Sequence, residues 1–109
     1  MVLLTGGHAQ GLYEFDESKF GKDRVVFEDL NSWIKDNYGT YGDPWEAICE
    51  KISAVPEAVI ISEQVGCGIV PADPLKRAFR EKLGRLQIRL AEKADEVYRV
   101  TCGIGQKIK

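Results

Sequence analysis

Apolar residues fall into two kinds of run along this chain, short continuous ones and longer ones with helical spacing, and the two kinds alternate. Val2-Leu3-Leu4-Thr5 is apolar without alternation, which predicts a first, buried strand. Gly6-Gly7-His8-Ala9-Gln10-Gly11 follows as a turn, and Leu12 to Phe20 reads as helix. Gly21-Lys22-Asp23 is a turn, and Arg24 to Phe27 is a second β-rich run. Leu30, Trp33 and Ile34 then recur at helical spacing. After a polar loop from Asn37 to Gly42, Asp43 predicts an N-cap with Pro44 at the first helical position. Glu46, three residues on, completes a capping-box pattern, with Trp45, Ile48 and Ile52 facing inward.

Ala58-Val59-Ile60-Ile61-Ser62 has the strongest strand pattern, again without alternation. A loop rich in glycine and proline runs from Glu63 to Asp73, and Pro74 opens a long helix to about Lys93. Its apolar stripe is Leu75, Phe79, Leu83, Leu86 and Leu90. Val97 to Thr101 is a further strand, and Gln106 to Lys109 a short one. Strands alternating with helices predict an α/β fold, a parallel sheet with helices on both faces. Ligands of such folds sit beyond the carboxyl ends of the strands. The loops Gly6–Gly11, Glu63–Pro71 and Gly103–Gly105 fall there.

Composition narrows the picture. A chain of 109 residues suits one domain, and a net charge of −2 points neither to nucleic acid nor to a membrane surface. No stretch is apolar enough to span a bilayer, and Met1 to Thr5 is too short for a signal peptide. Cys49, Cys67 and Cys102 are widely spaced, with no CxxC pair, which reads as free thiols in a reducing cytoplasm. His8 is the single histidine, which excludes metal sites needing two.

The glycine turn carries the candidate chemistry. Gly6 and Gly11 have the G-x-x-x-x-G spacing, between a strand and a helix. Glycines let successive N–H groups curl around an anion, and the helix N-terminus adds its dipole. A working phosphate loop continues with lysine and a hydroxyl residue, whereas Leu12 and Tyr13 stand here. The turn therefore reads either as a backbone anion cradle (Gly6, Gly7, His8, Ala9, Gln10, Gly11) or as a plain tight connection. Glu28 and Asp29 follow the second β-rich run, where a carboxylate can hold Mg²⁺ or start the next helix favourably. Glu63 can contact a ligand or cap its loop. Lys76, Arg77, Arg80, Lys82, Arg85, Arg89 and Lys93 make the long helix basic, a pattern usual for a solvated face.

Several motifs resemble one family. Glu63-Gln64-Val65-Gly66-Cys67-Gly68-Ile69-Val70-Pro71 is similar to the E-V-G-x-G-I-V-P loop of the bifunctional adenosylcobinamide kinase / adenosylcobinamide-phosphate guanylyltransferase family. Phe79-Arg80 with Gly84-Arg85, Ala94-Asp95-Glu96-Val97 and the Gly103 to Lys109 ending resemble its later motifs in order. Thr5-Gly6-Gly7 with Gly11 resembles its T-G-G-x-x-x-G-K-S start. The resemblance implies a P-loop NTPase-like, Rossmann-like three-layer fold, commonly in a homo-oligomer. It also implies ATP or GTP with Mg²⁺, and a corrinoid, as ligands. By the same match Gly6, Gly7, His8, Ala9, Gln10, Gly11, Glu63, Arg80 and Arg85 would meet the nucleotide, and Glu28 the metal. The departures are chemical. The loop lysine and hydroxyl are missing, and Lys19 or Lys22 would be the nearest substitutes. The segment that bears the family's guanylylated histidine is absent between Phe20 and Arg24. The family's R-x-N-Q becomes Arg85-Leu86-Gln87-Ile88. These losses predict a nucleotide-binding relative with impaired or lost catalysis, or a non-catalytic binding or assembly module in corrinoid metabolism.

Overall fold

The computed structural model describes residues 1–7, 9–65 and 72–109. Among them, β1 (Val2–Gly6), β2 (Val25–Phe27), β3 (Val59–Glu63), β4 (Glu96–Thr101) and β5 (Ile104–Lys107) form one sheet in the order β2-β3-β1-β4-β5. β1 lies between β3 and β4, parallel to both, with Leu4 opposite Ile61 and Tyr98. β2 continues the parallel set beside β3. The continuous apolar strands are thus the inner ones, as their pattern predicts.

Alternation of side chains divides the core. Leu3, Ile60, Val97 and Phe27 face α2 (Leu30–Tyr38), α3 (Trp45–Ser53) and α4 (Pro74–Lys93), whose Leu30, Ile34, Ile48, Ile52, Leu83, Leu86 and Leu90 are buried against them. Val2, Leu4, Val59, Ile61, Tyr98 and Val100 form the other face, covered by Leu12 and Phe15 of α1 (Leu12–Lys19). Each such side chain contributes roughly 1.5–3 kcal/mol of burial. A one-turn 3-10 segment, Lys22–Arg24, links α1 to β2.

Three details differ from the sequence pattern. β5 runs antiparallel to β4, because only Cys102 and Gly103 connect them and a link that short cannot cross over. Both adopt positive φ, 50° and 74°, as a tight hairpin with the twist of its strands requires. The stripe of α4 is buried only from Leu83 onward, and Leu75 is 55% exposed. A helix of 20 residues is about 30 Å long and outruns strands of five or six. Finally, α3 starts at Trp45, so Glu46 falls one position too early to close the capping box. The N-cap is Pro44 rather than Asp43, whose carboxylate lies one residue earlier and accepts from the Trp45 N–H at 3.0 Å. Among the described residues no helix is long and apolar enough to cross a membrane.

Candidate functional site

The turn after β1 leaves the sheet at its centre, where Gly6 lies opposite Glu63 and Val100. A Cβ on Gly6 would stand 2.6 Å from the Val100 carbonyl oxygen, so the close strand approach admits glycine alone. Its own carbonyl accepts from the Gln64 N–H at 2.7 Å. Gly7 follows, half-buried. Ala9 and Gly11 both take the left-handed conformation, at φ 56° and 80°. Gly11 then opens α1, its carbonyl accepting from the Phe15 N–H at 3.0 Å. A turn with left-handed positions that ends on a helix N-terminus is a backbone setting suited to anions. His8 lies outside the described residues, as do Gly66, Cys67, Gly68, Ile69, Val70 and Pro71 of the second loop.

Gln10 faces the β4–β5 hairpin. Its carbonyl accepts from the Gly103 N–H at 2.7 Å, and its Oε1 accepts from the Cys102 N–H at 2.9 Å. Two of the three loops expected at the carboxyl ends are therefore joined directly. This role of Gln10 was not legible in the sequence, since nothing local marks a glutamine as a tie to a hairpin 92 residues away.

The residues after Gly11 have different surroundings. Leu12 is 3% exposed and belongs to the core of the α1 face. Tyr13 is partly exposed, and its hydroxyl pKa is raised by partial burial and by the charges of Asp29, Glu63 and Glu28. Three strand-end or helix-start carboxylates thus act on the phenol electrostatically. Asp29 is committed to capping α2, accepting from the Ser32 N–H at 3.2 Å and the Ser32 hydroxyl at 2.8 Å. Glu28 is exposed just past β2. Among the described residues no three His, Cys, Asp or Glu side chains are grouped to hold a metal ion. Lys19 lies over the Tyr98 ring at 4.7 Å, and Lys22 pairs with Glu17 at 3.4 Å. Neither lysine substitutes for the one missing after Gly11.

A polar network holds the end of β3. The fully buried Ser62 hydroxyl donates to Asn31 Oδ1 at 2.7 Å and accepts from Gln87 Nε2 at 2.8 Å. The Glu63 carbonyl accepts from Gln87 Nε2 at 2.6 Å and from Asn31 Nδ2 at 3.1 Å. Glu63 is thereby fixed between α2 and α4. Gln87 stands in the family-like motif, but Asn31 had no signal beyond being a polar residue near a helix start.

Arg80 and Arg85 are placed apart. Arg80 lines a cleft of about 410 Å³ with Lys35, Lys76 and Phe79. Arg85 accompanies Lys82 and Arg89 in another, of about 370 Å³, and pairs with Glu81 at 2.6 Å. No described residue of the glycine turn lines either cleft. The structure therefore brings Gly6, Gly11, Glu63 and Glu28 to one end of the sheet and leaves the arginines on α4.

A mostly parallel sheet whose central strand passes through a glycine turn into a helix, with carboxylates at the neighbouring strand ends, defines a P-loop NTPase-like α/β fold. The family model for cobinamide kinase / cobinamide phosphate guanyltransferase matches residues 8–108, and the chain belongs to that family. It is 48% identical over 63 residues to the bifunctional adenosylcobalamin biosynthesis protein CobU of Salmonella typhimurium strain LT2, a match covering 58% of this chain and 34% of that protein. The CobU protein of Escherichia coli strain K12 is 44% identical over 63 residues, with the same shares, 58% and 34%. The matched stretch thus spans about a third of the length of these curated relatives.

Proposed function

We propose that this chain is a nucleotide-binding member of the cobinamide kinase / cobinamide phosphate guanyltransferase family that has lost phosphoryl and guanylyl transfer. The observation that carries this reading is Leu12, a core side chain where a phosphate loop places its lysine. The described residues of the turn, Gly6, Gly7 and Ala9 to Gly11, lead from a strand into a helix N-terminus, a setting that supports reading the turn as a phosphate cradle. The charge that would stabilise a transferring phosphoryl group is not supplied by the turn. Removing a single such donor costs on the order of 10²–10³ in rate.

A magnesium ion would supply charge neutralisation of the phosphates. Glu28 is the carboxylate that would hold it, with the remaining oxygens coming from phosphate and water. Tyr13 cannot take the part of the short hydroxyl, because its phenol stands a ring's length from the backbone. ATP or GTP is the nucleotide this reading expects, with a corrinoid as second ligand and a homo-oligomer as the assembled form. The missing lysine and short hydroxyl support binding without turnover, a non-catalytic module of corrinoid metabolism working in the cytoplasm.

The test is an assay with labelled ATP and adenosylcobinamide, beside the full-length Salmonella protein. Weak nucleotide binding with negligible phosphorylation is expected. Turnover within about tenfold of the control would show that the lost electrostatic stabilisation has been replaced and would overturn the reading. Intact-mass measurement after GTP and Mg²⁺ should show no GMP adduct, since His8 is the chain's one imidazole and sits in the turn sequence. An adduct abolished by His8→Ala would contradict this.

A further inference from the structure

Lys82, Arg85 and Arg89 recur at spacings of three and four on α4, so their side chains share one flank of the helix. That flank and Tyr41-Gly42-Asp43-Pro44 line an open, solvent-facing cavity of about 370 Å³. Each cation is held in place by the protein. Lys82 Nζ donates to the Gly39 carbonyl at 2.8 Å. The Arg89 guanidinium stacks 3.9 Å from the centre of the Trp45 ring. Arg85 is steadied from one turn back by Glu81 at 2.6 Å. The one carboxylate in the lining, Asp43, accepts from the Trp45 N–H at the start of α3 and also acts on Lys82, raising its pKa against the effect of burial.

We propose that this cavity binds a phosphate-bearing small molecule through Lys82, Arg85 and Arg89, at a place separate from the glycine turn. With Glu81 paired to Arg85 and Asp43 in the lining, three cations meet two carboxylates and an excess of one positive charge remains, and partial burial lowers the Lys82 pKa. An anion relieves both costs. Arg89, flat on an indole, keeps N–H groups at its edge in the plane that pairs with two phosphate oxygens. Tyr41 is 83% exposed at the mouth, a ring placed to cover a flat group attached to the phosphate. A phosphate group can come from a nucleotide or from inorganic or alkyl phosphate, and Tyr41 distinguishes these sources.

The probes are pyrophosphate and adenosine diphosphate, titrated into isotope-labelled protein at constant ionic strength. Saturable amide shifts at residues 41–45 and 82–89 are expected. The Arg85→Gln/Arg89→Gln variant should bind at least about tenfold more weakly, as loss of charge-assisted hydrogen bonds implies. Lys93→Gln, on the exposed end of the same helix, should titrate like the parent chain. Should the double variant fail to fold, Arg89→Lys keeps the charge but not the fork, and severalfold weaker binding is expected of it. Tighter binding of adenosine diphosphate than of pyrophosphate, removed by Tyr41→Ala, assigns the anion to a nucleotide. Equal affinities assign it to simple phosphates. The proposal is overturned by absence of saturation at about 10 mM probe, far weaker than specific sites. It is equally overturned by parent-like affinity in the folded variants, or by shifts confined to residues 5–11, which would place the anion in the glycine turn instead.

Discussion

The Gly103 N–H donates to the Gln10 carbonyl at 2.7 Å, so the hairpin that ends the sheet is fastened to the turn that follows its central strand. The contact is close enough that a Cβ on Gly11 would stand 2.9 Å from Gly103 Cα. Replacing Gly11 by alanine adds both that overlap and a left-handed φ of 80° for a residue with a side chain. Gly11→Ala should lower unfolding free energy by about 1–3 kcal/mol, read from urea denaturation. A variant as stable as the parent chain would mean the turn and hairpin separate freely.

Leu12 decides whether the family's lysine can simply be put back. Leu12→Lys would bury an ammonium against Val2, Leu4 and Ile61. A loss of about 2–5 kcal/mol is expected, measured by thermal or urea unfolding, and no phosphoryl transfer should appear. A stable Leu12→Lys protein that phosphorylates adenosylcobinamide would refute this.

Asp16 is 4% exposed, and its Oδ1 has no hydrogen-bond partner. Burial, together with the charges of Glu17 and Glu28, raises its pKa above the ordinary 3.8, with Arg24 acting in the opposite direction. The folded state therefore holds this proton more tightly than the unfolded chain does. Its stabilising effect is complete below the unfolded pKa and is lost as pH rises through the folded one. Asp16→Asn should be about 1 kcal/mol more stable than the parent at pH 7, with the difference shrinking in acid. Parallel stability curves from pH 3 to 7 would disprove the assignment.

Gln87 bridges the Ser62 hydroxyl and the Glu63 carbonyl. Gln87→Leu leaves polar groups at the end of β3 short of a donor and should cost about 1–3 kcal/mol. In a double-mutant cycle with Ser62→Ala the two losses should be less than additive, with a coupling of about 0.5 kcal/mol or more. Strict additivity would show that the residues act separately.

Much of the site's frame could be read locally. Gly6 and Gly11 announce a turn, Gly6 because a Cβ there would meet the neighbouring strand and Gly11 because its left-handed φ favours glycine, and Leu12 and Tyr13 plainly lack the chemistry of a phosphate loop. The positions of Arg80 and Arg85 could not be read this way. Their shared helix suggests a shared site, but five residues of separation turn and lift one away from the other, into different clefts. Asn31 and Gln10 were equally silent, because their partners lie 32 and 92 residues away in the chain.

From its order of residues alone the chain determines which strands are inner, where each helix begins to within a residue or two, and that the turn after β1 has no lysine. Those are properties of short windows, set by side-chain period, capping and backbone freedom. Tertiary structure alone decided that Leu12 is a core residue, that Gln10 ties two loops, and that Lys82, Arg85 and Arg89 meet a loop forty residues upstream around one cavity. The physical reason is that charge, burial and hydrogen bonding depend on distance in space. The sheet brings together groups whose separation along the chain carries no record of it.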